Sequence, residues 1–427
     1  MCILRIRPPT SPLKKPCWGF RRKALCWAKA APVYLGKRIG AAWRIWWDGH
    51  QRGIRIGGSP GIRSGAAFGA ARFYTGLNGS RVSFQGEWKM INVGLIGFGY
   101  WGPNLARNFN INPDLQLCAV CDFSADRLKT VERFYPQVAL YRQVDDFLKN
   151  TAMDAVAIAT PVANHFDLAR QALATGRHVW IEKPMTETVE QAEEIIELAL
   201  QKNRVLLVDH TFVYTGAVRK IAELISKGEL GDLIYYDSTR VNLGLFQQDV
   251  NVLWDLAPHD ISIIDYLMPF EKLAVSATGS HYYGNSIVPK SLLTIYMEQG
   301  VVAHINVSWL SPVKIRQTLI GGNLKMILYN DNEPSEKIKV YDKRVDLDFS
   351  KSWEELYQLK VQYRVGDMYA PKLEGIEALT LETQHFADCI LNAKKPLTDG
   401  KAGLEVVKVL VASEQSLKNR GAPIELR

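Results

Sequence analysis

The stretch VGLIGFGYWGPN at residues 93–104 constrains the fold of this chain most strongly. It sets three glycines between an apolar run, Val93–Ile96, and a helical pattern, Asn104–Phe109, which predicts a strand, a tight turn and a helix. Glycines at this spacing permit the turn, let the backbone approach a pyrophosphate and let the helix pack on the strand. We therefore expect a dinucleotide cofactor to contact the whole turn: Gly97, Phe98, Gly99, Tyr100, Trp101 and Gly102.

An acidic residue supports the same prediction. Asp122 ends the next apolar run, twenty residues after Gly102, where a carboxylate can accept hydrogen bonds from both ribose hydroxyls. The same carboxylate would repel a 2′-phosphate, so the sequence favours NAD over NADP. Arg127 lies nearby and leaves NADP open as the less favoured cofactor.

The chain after Met90 alternates short apolar runs with amphipathic stretches, which is typical of a right-handed parallel βαβ sheet. The predicted strands of this Rossmann domain, residues 90–210, are Ile91–Ile96, Leu115–Cys121, Ala155–Ala159, Val179–Glu182 and Val205–Val208. Amphipathic stretches at Ala163–Ala174 and Thr188–Gln201 predict helices between them.

Residues 211–427 show a different pattern, which predicts an α+β domain; the family resemblance described below implies that this domain binds the substrate and mediates assembly. Its predicted helices are Ala217–Ser226, Ile376–Leu391 and Gly403–Leu417, and its predicted strands are Leu233–Val241, Ser291–Met297, Val301–Leu310, Ile315–Ile320 and Lys325–Tyr329. In Val301–Trp309, apolar residues alternate with His304, Asn306 and Ser308, which indicates an open, largely antiparallel sheet with two different faces. The apolar face of Val301, Ile305 and Trp309 is expected to be exposed unless a partner covers it.

The net charge of +8 is unevenly distributed. Residues 1–89 hold 17 Lys and Arg against two acids, whereas the remainder holds 35 bases and 42 acids. The mildly acidic body gives no indication of nucleic-acid binding. For residues 1–89 we expect a basic extension without a fold, with Met90 as the true initiator; a transit peptide or a functional basic tail are the alternatives.

Several other classes of protein are disfavoured. Cys118 and Cys121 form a C-x-x-C, but side chains three apart on a strand point to opposite faces, so we expect buried thiols rather than a metal or redox site. The histidines show no ligand spacing, and no metal site is expected. No apolar run reaches the ~18 residues of a membrane span, and a cytoplasmic protein is expected.

Two short motifs follow predicted strands of the first sheet. Ala159-Thr160-Pro161 and Glu182-Lys183-Pro184 both fall at the carboxyl edge of a parallel sheet, in the crevice where ligands bind. A lysine held by a proline at this edge favours a functional role over a solvated surface charge. We therefore predict that Thr160, Pro161, Glu182 and Lys183 lie at the ligand-binding crevice; the family resemblance described below implies that they contact the cofactor and that Lys183 is also catalytic.

The sequence WDLAPHD at 254–260 predicts a second site. Asp255 and His259 are four residues apart and share one face of a helix, and Pro258 suits a first helical turn. Histidine has the right pKa for proton transfer near neutrality, and a neighbouring carboxylate would fix its tautomer. An N-capping Asp255 with an incidental histidine is the alternative from these residues alone.

Together these motifs resemble the Gfo/Idh/MocA family of nicotinamide-dependent oxidoreductases over residues 90–427. The resemblance rests on GFGYWG at 97–102, CD at 121–122, ATP at 159–161, EKP at 182–184, DLAPHD at 255–260 and the closing ETQHFADCI. It implies a Rossmann domain followed by a domain with an open sheet, through which members assemble as homodimers or homotetramers. It also implies catalytic roles for Lys183, Asp255 and His259.

The resemblance further implies a substrate class. DLAPHD, rather than the commoner D-x-G-x-H, is similar to members that act on nucleotide-linked sugars in polysaccharide synthesis, including UDP-N-acetylglucosamine 3-dehydrogenase-like enzymes. We expect hydride transfer between a sugar ring carbon and nicotinamide. A dehydrogenase of another sugar or polyol, or a non-catalytic dinucleotide sensor, are the alternatives.

Three further residues are candidates for contact with the substrate. Arg240 and Asn242 end a predicted strand and can meet a diphosphate or ring hydroxyls, although ordinary strand-end polarity explains them as well. His165 is a candidate for the nicotinamide pocket or a surface residue of an amphipathic helix.

Overall fold

The computed structural model describes residues 45–46, 55–56, 90–244, 250–280, 287–346 and 362–426. The chain divides into two units, Met1–Gln85 and Gly86–Arg427. In the first unit, Ile45–Trp46 pairs with Arg55–Ile56 as antiparallel strands. The prediction of an unfolded extension over residues 1–89 otherwise falls outside the described residues and stays a prediction.

The first sheet of the second unit is parallel throughout, as predicted. Its six strands lie in the order β3-β2-β1-β4-β5-β6. Their bounds are β1 Ile91–Ile96, β2 Leu115–Cys121, β3 Ala139–Tyr141, β4 Ala155–Ile158, β5 His178–Glu182 and β6 Leu206–Asp209. The carboxyl ends of β1, β2, β4, β5 and β6 therefore meet along one edge, where every motif predicted to bind the cofactor is located.

The second sheet is open and mostly antiparallel, which confirms the predicted fold class. Its order is β14-β13-β12-β11-β7-β10-β9-β8-β15, and only β7 and β10 pair in parallel. The bounds are β7 Leu233–Leu243, β8 Lys272–Ser280, β9 Lys290–Met297, β10 Val302–Ser308, β11 Leu310–Gly322, β12 Met326–Asn330, β13 Ile338–Asp346, β14 Gln362–Tyr369 and β15 Ile424–Glu425.

Nine α-helices lie within the described part of Gly86–Arg427. They are α1 Gly102–Ile111, α2 Ala125–Phe134, α3 Val144–Leu148, α4 His165–Ala174, α5 Val189–Gln201, α6 Gly216–Ser226, α7 Val252–Leu267, α8 Ala378–Leu391 and α9 Gly400–Lys418. Among the described residues, no helix combines the length and the apolar character that crossing a bilayer requires.

The apolar face of β10 is buried within the chain, which corrects the prediction that it is exposed. Val301, Ile305 and Trp309 are at most 4% exposed. They belong to one core with Ile221 of α6 and Val409 of α9. The alternation identified two faces correctly, but the chain's own helices cover the apolar one. The opposite face of the sheet carries the exposed His304.

Helix α8 returns from the second sheet to pack on the first. Its Phe386 meets Trp180 of β5 edge to face, with ring centroids 5.5 Å apart, and Trp180 in turn meets Phe109 of α1. All three side chains are fully buried. Residues close to the end of the chain therefore complete the core beneath the cofactor-binding edge.

The sequence analysis missed several elements. It did not identify α2, α3, β3, β8, β13, β14 or β15, and it placed the start of α9 three residues late. The three-residue β3 is too short for a visible period, and β8 carries polar or small residues on both faces.

The cysteine prediction agrees with the structure. Cys118 and Cys121 lie on β2 as free thiols. Burial raises the pKa of each to about 11, so both stay protonated and unreactive.

Phe386→Ala tests the packing of α8 on the first sheet. Removing a fully buried ring should lower the free energy of unfolding by about 3–5 kcal/mol, because the transfer energy is lost and a cavity remains. Urea denaturation followed by tryptophan fluorescence measures this. Leu391→Ala, on the same helix but 49% exposed, is the matched control and should cost less than about 1 kcal/mol. Equal losses would contradict the packing role.

Candidate active site

The glycine turn between β1 and α1 can be built only with glycine at two of its positions. Gly97 has φ of +93°, and a β-carbon there would lie 2.4 Å from the carbonyl oxygen of Ala159. A β-carbon on Gly102 would lie 2.5 Å from the carbonyl oxygen of Gly97. Both contacts are far below van der Waals distance, so the tight turn and the close helix–strand packing depend on these residues.

The remaining residues of the turn leave room for a ligand. Next to Gly99 the nearest atoms are those of the Arg127 guanidinium, at 3.8 Å, and Tyr100 is 89% exposed. Helix α1 starts at Gly102 without a side-chain cap, so its first amide donors have no side-chain acceptor. Asn104 donates to the Trp101 carbonyl and Pro103 has no N–H, so the open backbone around Gly99 and the positive end of the α1 dipole are what fit a pyrophosphate, as the sequence predicts.

Asp122 follows β2 and holds the turn directly. Its Oδ2 accepts from the backbone N–H of Phe98 at 2.7 Å, and its Oδ1 accepts from that of Ser124 at 2.8 Å. The Arg127 guanidinium lies 3.4 Å from Oδ2 and is 45% exposed. The carboxylate thus fixes the backbone of the turn, and Arg127 partly offsets its charge.

His165 joins the two motifs at the ends of β4 and β5. Its Nε2 lies 2.8 Å from the carbonyl oxygen of Thr160, and its Nδ1 lies 2.9 Å from that of Pro184. The residue is 1% exposed, which excludes the predicted surface position. Burial lowers its pKa. His165 fixes the backbone on either side of the pocket edge, next to Thr160 and the exposed Pro161.

Lys183 contacts helix α7, which is far away in sequence. Its Nζ donates to the backbone carbonyl of Asp255 at 2.7 Å and lies 3.6 Å from the Asp255 carboxylate. The lysine side chain is 17% exposed and that of Asp255 is 24% exposed. The structure therefore brings the two predicted catalytic motifs together.

Helix α7 starts earlier than the sequence analysis expected. Asn251 caps it, accepting from the N–H groups of Leu253 and Trp254, so Pro258 lies in the second turn and not in the first. The interpretation of Asp255 as the N-cap is also wrong. Proline has no N–H, which deprives the Trp254 carbonyl of its usual partner in the helix. Lys183 binds the next carbonyl, at this interrupted turn.

Asp255 and His259 share one side of α7, but no hydrogen bond joins their side chains in the described structure. The Asp255 Oδ2 accepts from Trp309 Nε1 at 2.9 Å, while its Oδ1 faces Lys183. The His259 Nδ1 is buried without a partner. The expectation that Asp255 orients His259 is therefore not met, and Asp255 orients Lys183 instead.

The surroundings of His259 are apolar and positively charged. The centroid of its ring lies 4.8 Å from that of Phe212. The Arg240 guanidinium lies 4.4 Å from the centroid of the same Phe212 ring. Arg316, paired with Arg240 across β11 and β7, lies 5.9 Å from the same ring. Burial, followed by the charges of Lys183, Arg240 and Arg316, lowers the pKa of His259 well below its usual value. His259 is therefore neutral near neutral pH.

The two weak candidates on β7 have different environments. Arg240 is 5% exposed, and its Nε donates to Asp260 at 2.8 Å, so it acts on the site through its charge. Asn242 lies two residues further along the same face and is only partly buried. Direct contact with a ligand is therefore open to Asn242 rather than to Arg240.

Glu182 lies in an unexpected environment. The sequence predicts a cofactor contact, but its side chain approaches Asp209 of β6, within a group that also contains Glu382 of α8. Sequence reasoning missed Asp209, Glu382, Phe212, Trp309 as a partner of Asp255, and Arg316. Each of these residues belongs to an element whose position depends on tertiary packing. For Glu182 there was one signal: it is two residues from Trp180 on the same strand, so the two side chains point to the same, buried face of the sheet.

Two family models match the chain. Residues 91–210 match the model described as the oxidoreductase family, NAD-binding Rossmann fold, and residues 218–325 match the GFO/IDH/MocA C-terminal domain. The first match includes the glycine turn and Lys183. The second includes Asp255 and His259.

Curated relatives agree with these models. The chain is 24% identical over 355 residues to scyllo-inositol 2-dehydrogenase (NAD(+)) of Bacillus subtilis, covering 79% of this chain and 96% of that protein. It is 32% identical over 200 residues to the uncharacterized oxidoreductase YdgJ of Escherichia coli, covering 44% of this chain and 56% of that protein.

Solved structures share the fold. UDP-N-acetylglucosamine 3-dehydrogenase GnnA from Acidithiobacillus ferrooxidans superposes with a TM-score of 0.65 at 23% identity, covering 78% of this chain and 98% of that one. GenD2 from gentamicin A biosynthesis, in complex with NAD, superposes with a TM-score of 0.67 at 20% identity, covering 79% and 97%.

Asp122→Ala tests the cofactor edge. Loss of the charge-assisted hydrogen bond to Phe98 of the turn, and of a second one to Ser124 before α2, should raise the Kd for NAD by about 10- to 100-fold, measured by isothermal titration calorimetry. The preference for NAD over NADP should fall, because a 2′-phosphate no longer meets a carboxylate. Asp126→Ala, an exposed acid on α2, is the control. An unchanged Kd in Asp122→Ala would contradict the assignment.

Proposed function

We propose that this chain, which belongs to the Gfo/Idh/MocA family of oxidoreductases, transfers hydride reversibly between NAD and a ring carbon of a nucleotide-linked sugar. Membership of the family and NAD as cofactor rest on the matching family models and on relatives that act with NAD. The nucleotide-linked sugar and a place in polysaccharide synthesis are our proposals.

One observation carries the catalytic part of the proposal. Lys183, at the carboxyl edge of the NAD-binding sheet, contacts the turn of α7 that precedes His259. An amine and a neutral imidazole thereby line the crevice in which this fold binds its ligands. Bound NAD supplies a nicotinamide ring that accepts or returns hydride.

Lys183 is proposed to stabilise the negative charge that develops on the substrate oxygen. The Asp255 carbonyl and carboxylate hold its ammonium group in place, and Trp309 fixes the carboxylate. A charge held in advance does not have to reorganise during the reaction. In the reductive direction the same ammonium can return the proton.

His259 is proposed to accept the proton of the substrate hydroxyl. Its depressed pKa keeps the imidazole neutral, and a neutral imidazole has a free nitrogen lone pair. The neighbouring cations disfavour a positive charge on the His259 imidazole. A negative charge on the substrate oxygen opposes this effect, so the proton acceptor becomes stronger when an alkoxide forms.

The cations of the pocket are each paired with an aspartate. Lys183, Arg240 and Arg316 all act on His259, and their partners are Asp255, Asp260 and Asp331. The support for a nucleotide-linked sugar is therefore the resemblance of DLAPHD to family members with such substrates, and not the net charge of the pocket. GnnA, which shares the fold, is named as a dehydrogenase of such a substrate.

Two alternatives remain distinguishable by experiment. A polyol substrate is favoured by the similarity to scyllo-inositol 2-dehydrogenase, and a non-catalytic sensor would retain the NAD site alone. NADH absorbance with matched panels of sugar nucleotides, free sugars and inositols separates the three. Turnover limited to sugar nucleotides supports our proposal, turnover of neutral polyols supports the first alternative, and no turnover with intact NAD binding supports the second.

We also propose that the protein is cytoplasmic and assembles through the outer face of the second sheet. This face carries exposed apolar side chains, Leu292 and Leu319 among them, around an ion pair between His304 and Asp237 at 2.8 Å. Exposed apolar groups on a continuous sheet favour contact with an identical face. The free thiols described above suit a reducing compartment.

Lys183→Ala should lower kcat by about 10²- to 10⁴-fold, because a positioned charge and proton donor is lost. The Kd for NAD, measured by calorimetry, should change little. Lys183→Arg keeps the charge but not the compact geometry and should restore only part of the rate. Lys202→Ala, at the exposed end of α5, is the control. A near-normal kcat in Lys183→Ala on the true substrate would refute the catalytic assignment.

Assembly is tested with the double variant Leu292→Glu/Leu319→Glu. Charges on the outer sheet face should reduce the molar mass in light scattering from a multiple of the chain mass to that of one chain. Leu200→Glu, 71% exposed on α5, should leave the mass unchanged. A single-chain mass for the unaltered protein, or an unchanged mass in the double variant, contradicts the proposed interface.

A further inference from the structure

Three carboxyl groups meet on one side of the first sheet, behind Lys183. The register of β5 and β6 sets Glu182 directly opposite Asp209. Trp180 precedes Glu182 by two residues and so shares its face, while Glu382 precedes Phe386 by one turn of α8. The stacking of Trp180 on Phe386 therefore brings Glu382 over the other two carboxyls.

The donors around these carboxyls are unevenly shared. Asp209 accepts from Trp101 Nε1 at 3.2 Å and from Thr211 Oγ1 at 2.5 Å. Glu182 Oε1 and both carboxyl oxygens of Glu382 are buried without a hydrogen-bond partner among the described residues. Both glutamate side chains approach the Asp209 carboxyl, and the backbone of Lys183 and of His210 only partly favours their ionised forms.

This arrangement requires protons. Two ionised carboxylates can only repel one another, whereas a protonated acid can donate to its neighbour. Burial first, and then the charge of Asp209, raises the pKa of Glu182 and of Glu382 well above the usual value. Asp209 has two other donors and is the natural site for the single negative charge.

No other titratable group around the three carboxyls forms an ion pair with them in the described structure. His210 is 1% exposed with both ring nitrogens unpartnered in the described structure, and burial lowers its pKa to about 4, so it is neutral. Lys183 adds a favourable charge beside Glu182. Tyr214, facing Glu382 and Asp209, donates no bond to either and is neutral because burial raises its pKa.

We propose that Glu182, Asp209 and Glu382 act as one proton-sharing unit, in which both glutamic acids donate to the Asp209 carboxylate and the unit positions Trp101 for cofactor binding. Trp101 lies within the glycine turn, and its bond to Asp209 ties that turn to the far strand β6. Glu382 is thus a positioning residue that never needs to touch NAD. The proposal concerns the cofactor and is independent of the sugar.

Substitutions at Glu382 distinguish a donor from a charged group. Glu382→Leu removes the donor and should raise the Kd for NAD roughly tenfold, the scale of one lost buried hydrogen bond. Glu382→Gln supplies an amide donor and should restore the affinity of the unaltered protein. Asp388→Leu, at the surface of the same helix, is the matched control. If glutamine is as harmful as leucine, Glu382 is not a donor and the proposal is overturned.

Trp101→Phe tests the path from the cluster to the turn. It removes the indole N–H together with part of the ring, and it should raise the Kd for NAD at least as much as Glu382→Leu. Because both changes act through Asp209, the double variant should bind NAD no more weakly than Trp101→Phe alone. Fully additive effects would mean that the cluster does not act through Trp101, and would refute the positioning role.

Infrared spectroscopy and stability measurements test proton sharing without any cofactor. The carbonyl stretch of protonated carboxylic acids should be present at neutral pH and should weaken in Glu382→Gln. The raised pKa values mean that the folded state binds extra protons, so the free energy of unfolding should fall as pH rises above the ordinary pKa of a glutamic acid. Glu382→Gln should fall less steeply. A missing band, or identical slopes, would overturn the proposal even if the variant affects folding.

Discussion

The contact of Lys183 with the second turn of α7 is the interaction on which the functional reading of this molecule depends. One hydrogen bond joins the edge of the parallel sheet to a helix whose other residues pack on the antiparallel sheet. The accepting carbonyl directly follows that of Trp254, which Pro258 leaves without its usual partner in the helix. The same contact lies one helical turn from His259, whose pKa is lowered by burial and by the charges of Lys183, Arg240 and Arg316.

Local patterns were sufficient to predict the parts of the site that lie on the first sheet. The strands of a parallel sheet end at a common edge, so Asp122, Thr160 and Lys183 had to converge once their strands were identified. The two-faced character of the second sheet also followed from alternation. Which face the helices cover depends on packing between distant segments, and the apolar face of Val301 was accordingly assigned to the wrong environment.

The errors around α7 have a different origin. Pro258 drew the predicted helix start towards itself, although Asn251 was the stronger signal because its side chain caps two amides. The spacing of Asp255 and His259 predicted a shared face correctly but not a shared hydrogen bond. Trp309, which directly follows β10, donates to the Asp255 carboxylate instead, and no periodicity in the sequence predicts such a partner.

The return of α8 to the first sheet bears on how this protein can be dissected. A fragment ending at residue 210 would contain every strand of the parallel sheet and the complete glycine turn. It would nevertheless leave the indole of Trp180 facing water and Asp209 without Glu382 above it. The nucleotide-binding half therefore reaches its final form only after the ribosome has delivered almost the whole chain.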